Sequence, residues 1–207
     1  MASGVLARGV TVVLERLGTH MWGFPPRLMA PIVVELRPMR TVVWFVWNMP
    51  RYERTLRAFG PVRTHLICTL ISLVNGCRYC TYAHGRALQL AYLHHYQRLF
   101  PLSEHAIGRL RGMPPGAIRH CMVTAAHNAG LYNEVRWLDR AIELTLAEDR
   151  SPTERDDVRV SHLVRMFSVL NSVAIASNID PDEAHSPLNK DRALTLRYDN
   201  LRAATGT

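Results

Sequence analysis

Apolar residues recur at three- and four-residue intervals along almost the whole 207-residue chain, and no segment alternates strictly for long enough to favour a strand. The pattern predicts an all-α fold, a helical bundle. Gly4 to Leu17 carries the first helical run, and Gly23-Phe24-Pro25-Pro26 breaks it before a Pro-punctuated, irregular segment through Pro38. Arg51 to Phe59 reads as a short helix ended by Gly60. Val62 to Val74 and Cys77 to about Arg98 then read as two arms of a helical hairpin turning at Asn75-Gly76. On the second arm Cys80, Ala83, Ala87, Leu90, Ala91 and His94 share a face, whose small alanines permit close helix packing.

Pro101-Leu102-Ser103 restarts the chain, and Pro114-Pro115 opens a helix to Ala129, with Gly130 placed to end it in a left-handed conformation. Asn133 is the expected cap of the next helix, to about Ala147. Ser151-Pro152-Thr153-Glu154 has the form of a capping box before a helix reaching Ala176, along which Val160, Leu163, Val164, Phe167, Leu170 and Ala174 keep helical spacing. Asp180-Pro181-Asp182-Glu183 offers a further cap, and Lys190 to Leu201 a last short helix. The expected organisation is an extension over 1–50, a helical domain over 51–178 and a tail over 179–207. With 48% hydrophobic residues and no Gly- or Ser-rich linker, one well-buried core is expected.

The formal charge of +8 is almost wholly arginine, since Lys190 is the only lysine, and the arginines are dispersed. Dispersal points to compositional bias and away from a nucleic-acid partner. Arg51, Arg54, Arg57 and Arg63 form the densest group, which reads either as facing an anionic substrate or as a solvated helix face or subunit contact. Arg8, Glu15 and Arg16 interrupt the N-terminal apolar run, so no signal peptide is expected. The most apolar stretch, Thr41 to Trp47, is far shorter than the roughly 20 residues that span a bilayer. It reads as core, as a subunit interface, or as the wall of an apolar pocket, and no membrane association is expected. Four cysteines without a secretory signal imply a cytoplasmic, reducing setting, where a Cys-x-x-Cys pair is more often catalytic or metal-binding than structural.

Such a pair stands in Asn75-Gly76-Cys77-Arg78-Tyr79-Cys80-Thr81-Tyr82-Ala83-His84. A helix starting near Cys77 would set its free N–H groups and positive dipole end beside the sulfurs and favour thiolate. Cys80 and His84 are four apart, which stacks thiol and imidazole on one face, with the ring as candidate base and Cys77 within disulfide reach.

From about Phe59 to Leu93, this spacing together with the preceding helix resembles the alkylhydroperoxidase D / carboxymuconolactone decarboxylase superfamily, whose redox members carry Cys-x-x-Cys-x-x-x-His at a helix start. The resemblance implies an all-helical homo-oligomer that reduces a hydroperoxide or exchanges disulfides. Cys80 would attack as thiolate, Cys77 would close the disulfide, His84 would serve as base and an external dithiol would restore the pair. No organic cofactor is implied, for the chain has no glycine-rich phosphate loop. One position departs from the pattern. The relay glutamate twelve residues before the first cysteine is His65 here, and a hairpin would bring His65 level with His84, rebuilding the relay around a second imidazole.

Other readings stand beside this one. Cys77, Cys80 and His84 form half of a zinc site if Cys68, Cys121 or another histidine completes it, or the cysteines are inert core residues. Cys68, level with Thr81 in the hairpin and on a stripe with His65 and Ser72, is either a third, resolving thiol or a packed core residue. Tyr79 and Tyr82 either donate a hydrogen bond to a substrate oxygen or pack. His94, His95, His120 and His127 read as structural. The functional alternatives are the superfamily's non-redox decarboxylase or lactone chemistry, and a helical scaffold without turnover.

Overall fold

The protein, described here by a computed structural model over residues 2–147 and 154–205, is all-helical among those residues. Its helices are α1 (Ala2–Trp22), α2 (Met29–Leu36), α3 (Pro38–Phe59), α4 (Pro61–Val74), α5 (Arg78–Tyr96), α6 (Glu104–Gly108), α7 (Pro115–Asn128), α8 (Val135–Leu146), α9 (Arg155–Ala176) and α10 (Arg192–Thr205). Among the described residues no helix is long and apolar enough to cross a membrane.

The α4–α5 hairpin is the centre of the bundle. Every residue of α4 from Thr64 to Leu73 is buried, and on α5 only Tyr82 and Arg86 interrupt burial between Tyr79 and Leu93. Such all-round burial requires neighbours on every side, and α3, α7, α8 and α9 pack on α4 while α6, α9 and α10 pack on α5. Leu66, Ile67, Leu70 and Ile71 are wholly enclosed, each contributing about 1.5–3 kcal/mol by leaving water. Helix α10 docks through Leu194 and Tyr198 on Ala87, Leu90 and Leu93 of α5. Buried Glu104 ties that contact together, accepting from Arg86 at 2.8 Å and from the Tyr198 hydroxyl.

Local chemistry accounts for the hairpin turn. Gly76 sits at φ 76°, a left-handed conformation that a Cβ disfavours. Its N–H donates to Leu73 O at 3.0 Å, and the Cys77 N–H donates to Ser72 O at 2.9 Å, closing a Schellman motif on α4. The residue that completes this C-cap, Cys77, is also the N-cap of α5. Gly130 ends α7 in the same manner, as its position implied.

Several expected elements are corrected. The irregular segment before Pro38 contains α2, in which Pro31 lies in the first turn, where its missing N–H costs no helical bond. The short helix at Arg51 is the second half of the 22-residue α3, which runs on through Pro50. Asn133 caps nothing: Tyr132–Glu134 is a 3₁₀ turn, held by a bidentate ion pair between Glu134 and Arg63 at 2.5 and 2.9 Å. The Asp180–Glu183 stretch begins no helix. Asp191 caps the last one, accepting from Leu194 N–H at 3.0 Å. Ser103 caps α6, a helix the periodicity did not single out. Ser151, Pro152 and Thr153 of the expected capping box lie outside the described residues. His94, expected on the Cys80 face, is exposed.

Candidate functional site

Cys77 and Cys80 occupy the first turn of α5, both buried and both free thiols. As N-cap, Cys77 Sγ accepts the Cys80 N–H at 3.3 Å, so its sulfur rests at the positive end of the helix. The Cys80 thiol donates to that sulfur, which with the Cys80 and Tyr79 amides and the Arg111 guanidinium draws Cys77 below the usual thiol range against the effect of burial. Cys80 moves the other way, its thiol pushed up by burial and by the neighbouring Cys77 sulfur. The capping hydrogen bond thus falls on the Cys77 sulfur, the position that favours thiolate, and not on Cys80.

His84 lies on the same stripe one turn beyond Cys80, yet no hydrogen bond joins its ring to the Cys80 sulfur. Its partner is His65, across the hairpin, Nδ1 to Nδ1 at 3.2 Å. Burial, with the His185 ring adding to it, pushes His65 down to about 3, and burial followed by the His65 and His185 rings also lowers His84. Both rings are neutral at pH 7, so one Nδ1 donates and the other accepts. Buried His65 Nε2 has no partner. The tautomer that leaves no buried N–H unpaired puts the His65 proton on Nδ1, donating to His84, and the His84 proton on Nε2. In that tautomer His84 Nδ1 is taken up by His65 and its Nε2 carries the proton.

A second cluster abuts this pair, assembled from chain segments a hundred residues away. The Tyr79 hydroxyl donates to Asp182 Oδ2 at 2.8 Å and lies 3.0 Å from His185 Nε2. The Arg27 backbone N–H donates to the same Asp182 oxygen at 2.9 Å. Burial opposes ionisation of Asp182, but hydrogen bonds from His185, Arg27 and Tyr79 outweigh it and hold the carboxyl below its ordinary value. His185 stacks on Trp22, with centroids 4.6 Å apart and planes inclined by 4°, and meets His84 edge-on at 5.9 Å. The end of α1 and the C-terminal 3₁₀ turn close over this cluster, Asn189 donating to Trp22 O and Lys190 to His20 O, each at 3.0 Å.

Between His84 and His185 lies a narrow cavity of about 40 Å³, walled by Met29, Phe45, Met49, Tyr52, Met166 and Phe167. It has room for about two or three water-sized oxygens. On the outer side, Arg78, Thr81, Tyr82, His105 and Arg111 line an open cleft of about 500 Å³. Thr81 is buried there and its hydroxyl has no partner.

The remaining candidates are placed as follows. Cys68 is wholly buried, and burial raises its thiol well above the usual range. Tyr82 is half-buried beside His105. Cys121 lies on α7, partly exposed. Among the described residues no three His, Cys, Asp or Glu side chains are grouped to hold a metal ion. Within the apolar stretch of α3, Phe45 walls the cavity, whereas Val43, Val46 and Trp47 face outward. Sequence reasoning missed Asp182, His185 and Trp22. The Asp182–His185 spacing of three, on a polar tail, was the one signal available.

The chain matches no protein-family model, no curated protein and no solved structure, so its chemistry is argued from its own side chains.

Proposed function

We propose that Cys77 and Cys80 form a redox dithiol that reduces a hydroperoxide or exchanges disulfides, in a helical bundle of the alkylhydroperoxidase D type. The observation that carries this reading is the Cys77 sulfur, held at a helix N-terminus by the Cys80 amide at 3.3 Å with the second thiol donating to it. Cys77 thiolate attacks one peroxide oxygen: the S–O bond forms, the O–O bond breaks, and the departing alkoxide takes a proton from solvent. The Cys80 thiol then attacks the sulfenic sulfur. An S–S bond forms, and the Cys80 proton leaves with hydroxide as water. An external dithiol, itself oxidised to a disulfide, restores the pair. This chemistry suits a reducing compartment such as the cytoplasm, and the resemblance favours a homo-oligomer.

The test is a free-thiol count on the reduced protein before and after one equivalent of an organic hydroperoxide, with peptide mapping. Rapid loss of two thiols mapped to Cys77 and Cys80 is expected. Four thiols still countable after exposure would overturn the proposal.

One observation favours a second reading. The cavity is walled by His84 and His185, not by either sulfur, which fits general acid–base chemistry of the superfamily's decarboxylase branch. Turnover of a lactone or acidic metabolite that survives Cys77→Ser and Cys80→Ser but fails in His84→Gln would select it.

A further inference from the structure

A second large cavity lies elsewhere, in a groove of about 710 Å³ between α3 and α9 that shares no lining residue with the His84 cavity. That volume falls within the range of small-molecule sites. Arg51 and Arg54 enter it from α3, Arg159 and Arg165 from α9. Only Arg159 has a carboxylate partner among the described residues, Asp156. Four guanidinium groups thus line one groove, and among the described residues no carboxylate neutralises Arg51, Arg54 or Arg165.

The floor of the groove is specified too. Asn48 Nδ2 donates to Trp44 O at 2.8 Å, so its Oδ1 is the acceptor for His162 Nε2–H at 3.1 Å. The opposite ring nitrogen, His162 Nδ1, is buried without a partner. Burial, with Arg51 and Arg165 adding to it, holds His162 below its usual range, and both arginines line the groove with it. At the rim, Arg51 lies over the exposed Trp47 ring, 4.1 Å from its centroid, an arrangement that holds the fork in place for a ligand.

We propose that the α3–α9 groove is a binding site for a small polyanion carrying two or more phosphate or carboxylate groups, gripped by Arg51, Arg54, Arg159 and Arg165. Guanidinium forks match both kinds of oxyanion in bidentate fashion. The site is independent of the dithiol chemistry.

Titration calorimetry of the full chain with pyrophosphate and, separately, citrate tests it. Saturable one-to-one binding of at least one is expected, and the tighter of the two identifies phosphate or carboxylate as the natural group. Arg54→Gln with Arg165→Gln should weaken binding about tenfold or more. Arg16→Gln with Arg192→Gln, which removes the same charge from exposed positions on α1 and α10, should leave it within about twofold. An unchanged thermal midpoint in the groove variant confirms that the fold is intact. No saturable binding of either anion, or equal weakening by the two double variants, overturns the proposal. So does a single-stranded oligonucleotide bound more tightly than either anion and weakened alike by both variants, which would mark a general polyanion-attracting surface.

Discussion

His65 and His84 face each other across the central hairpin, Nδ1 to Nδ1 at 3.2 Å, in an environment that keeps both rings neutral. Folded-state values lie below the 6.5 of an unfolded histidine. The unfolded chain therefore binds more protons, and the stabilisation is complete above about pH 6.5 and lost as pH falls from there toward 3. For His65 alone the slope is about 1.4 kcal/mol per pH unit in that window. Urea unfolding should show lower stability at pH 5 than at pH 7.5, and a shallower dependence in His65→Leu. Equal stability at the two pH values would mean that the rings are not buried as a neutral pair.

The proposed thiol order, Cys77 before Cys80, has a direct readout. At neutral pH, with the partly exposed Cys121 replaced by Ser, a limiting amount of iodoacetamide should label Cys77 before Cys80, with a thiolate transition below the ordinary value of about 8.5. Cys80 should label only after Cys77 is blocked or the protein unfolded. Mapping the first label to Cys80 would restore the order implied by the family resemblance.

A carboxylate at position 65 would change the partner of His84. In His65→Glu the neighbouring negative charge should raise the His84 titration, followed by NMR, and with it peroxide turnover. A raised His84 titration with unchanged turnover would remove His84 from the peroxide chemistry.

Tyr79 belongs to the Asp182 cluster, not to the wall of the cavity. Tyr79→Phe takes one donor from a buried carboxylate and should cost about 1–3 kcal/mol of stability. Peroxide reactivity should stay within a few-fold of the parent. A variant of parental stability that no longer reacts would instead make the hydroxyl part of the chemistry.

Two glycines of α1 should respond in opposite directions. A Cβ on Gly18 would lie 2.3 Å from Pro26 Cδ, and Gly18→Ala should destabilise by about 1–3 kcal/mol through overpacking. Gly9 is exposed with nothing within 4 Å of such an atom, so Gly9→Ala should stabilise by up to about 1 kcal/mol. Thermal unfolding of the two variants reads both, and destabilisation by Gly9→Ala would place α1 in contacts the structure lacks.

The hairpin was legible because its punctuation is local: Gly60-Pro61 and Asn75-Gly76 each act on the neighbouring turn alone, as Gly130 does at the end of α7. Proline misled twice. Pro31 and Pro50 look like breaks, yet the first sits in a first turn and the second is carried by a helix packed along α4 and α9. The meeting of His65 with His84 could be anticipated from equal distances to the turn. Asp182 and His185 could not, since Tyr79 reaches them across 103 and 106 residues and no periodicity encodes that approach. The capping role of Cys77 was not legible for a similar reason. Sequence spacing sets Cys80 beside His84, whereas the hydrogen bond from the Cys80 amide to the Cys77 sulfur depends on where the helix starts.

The Trp22–His185 stack gives the site an optical signal of its own. At 4.6 Å the indole and imidazole rings are in contact. Whatever lifts α1 from the C-terminal turn separates them and will change the emission of Trp22, so that an opening of this closure is visible in the unlabelled protein.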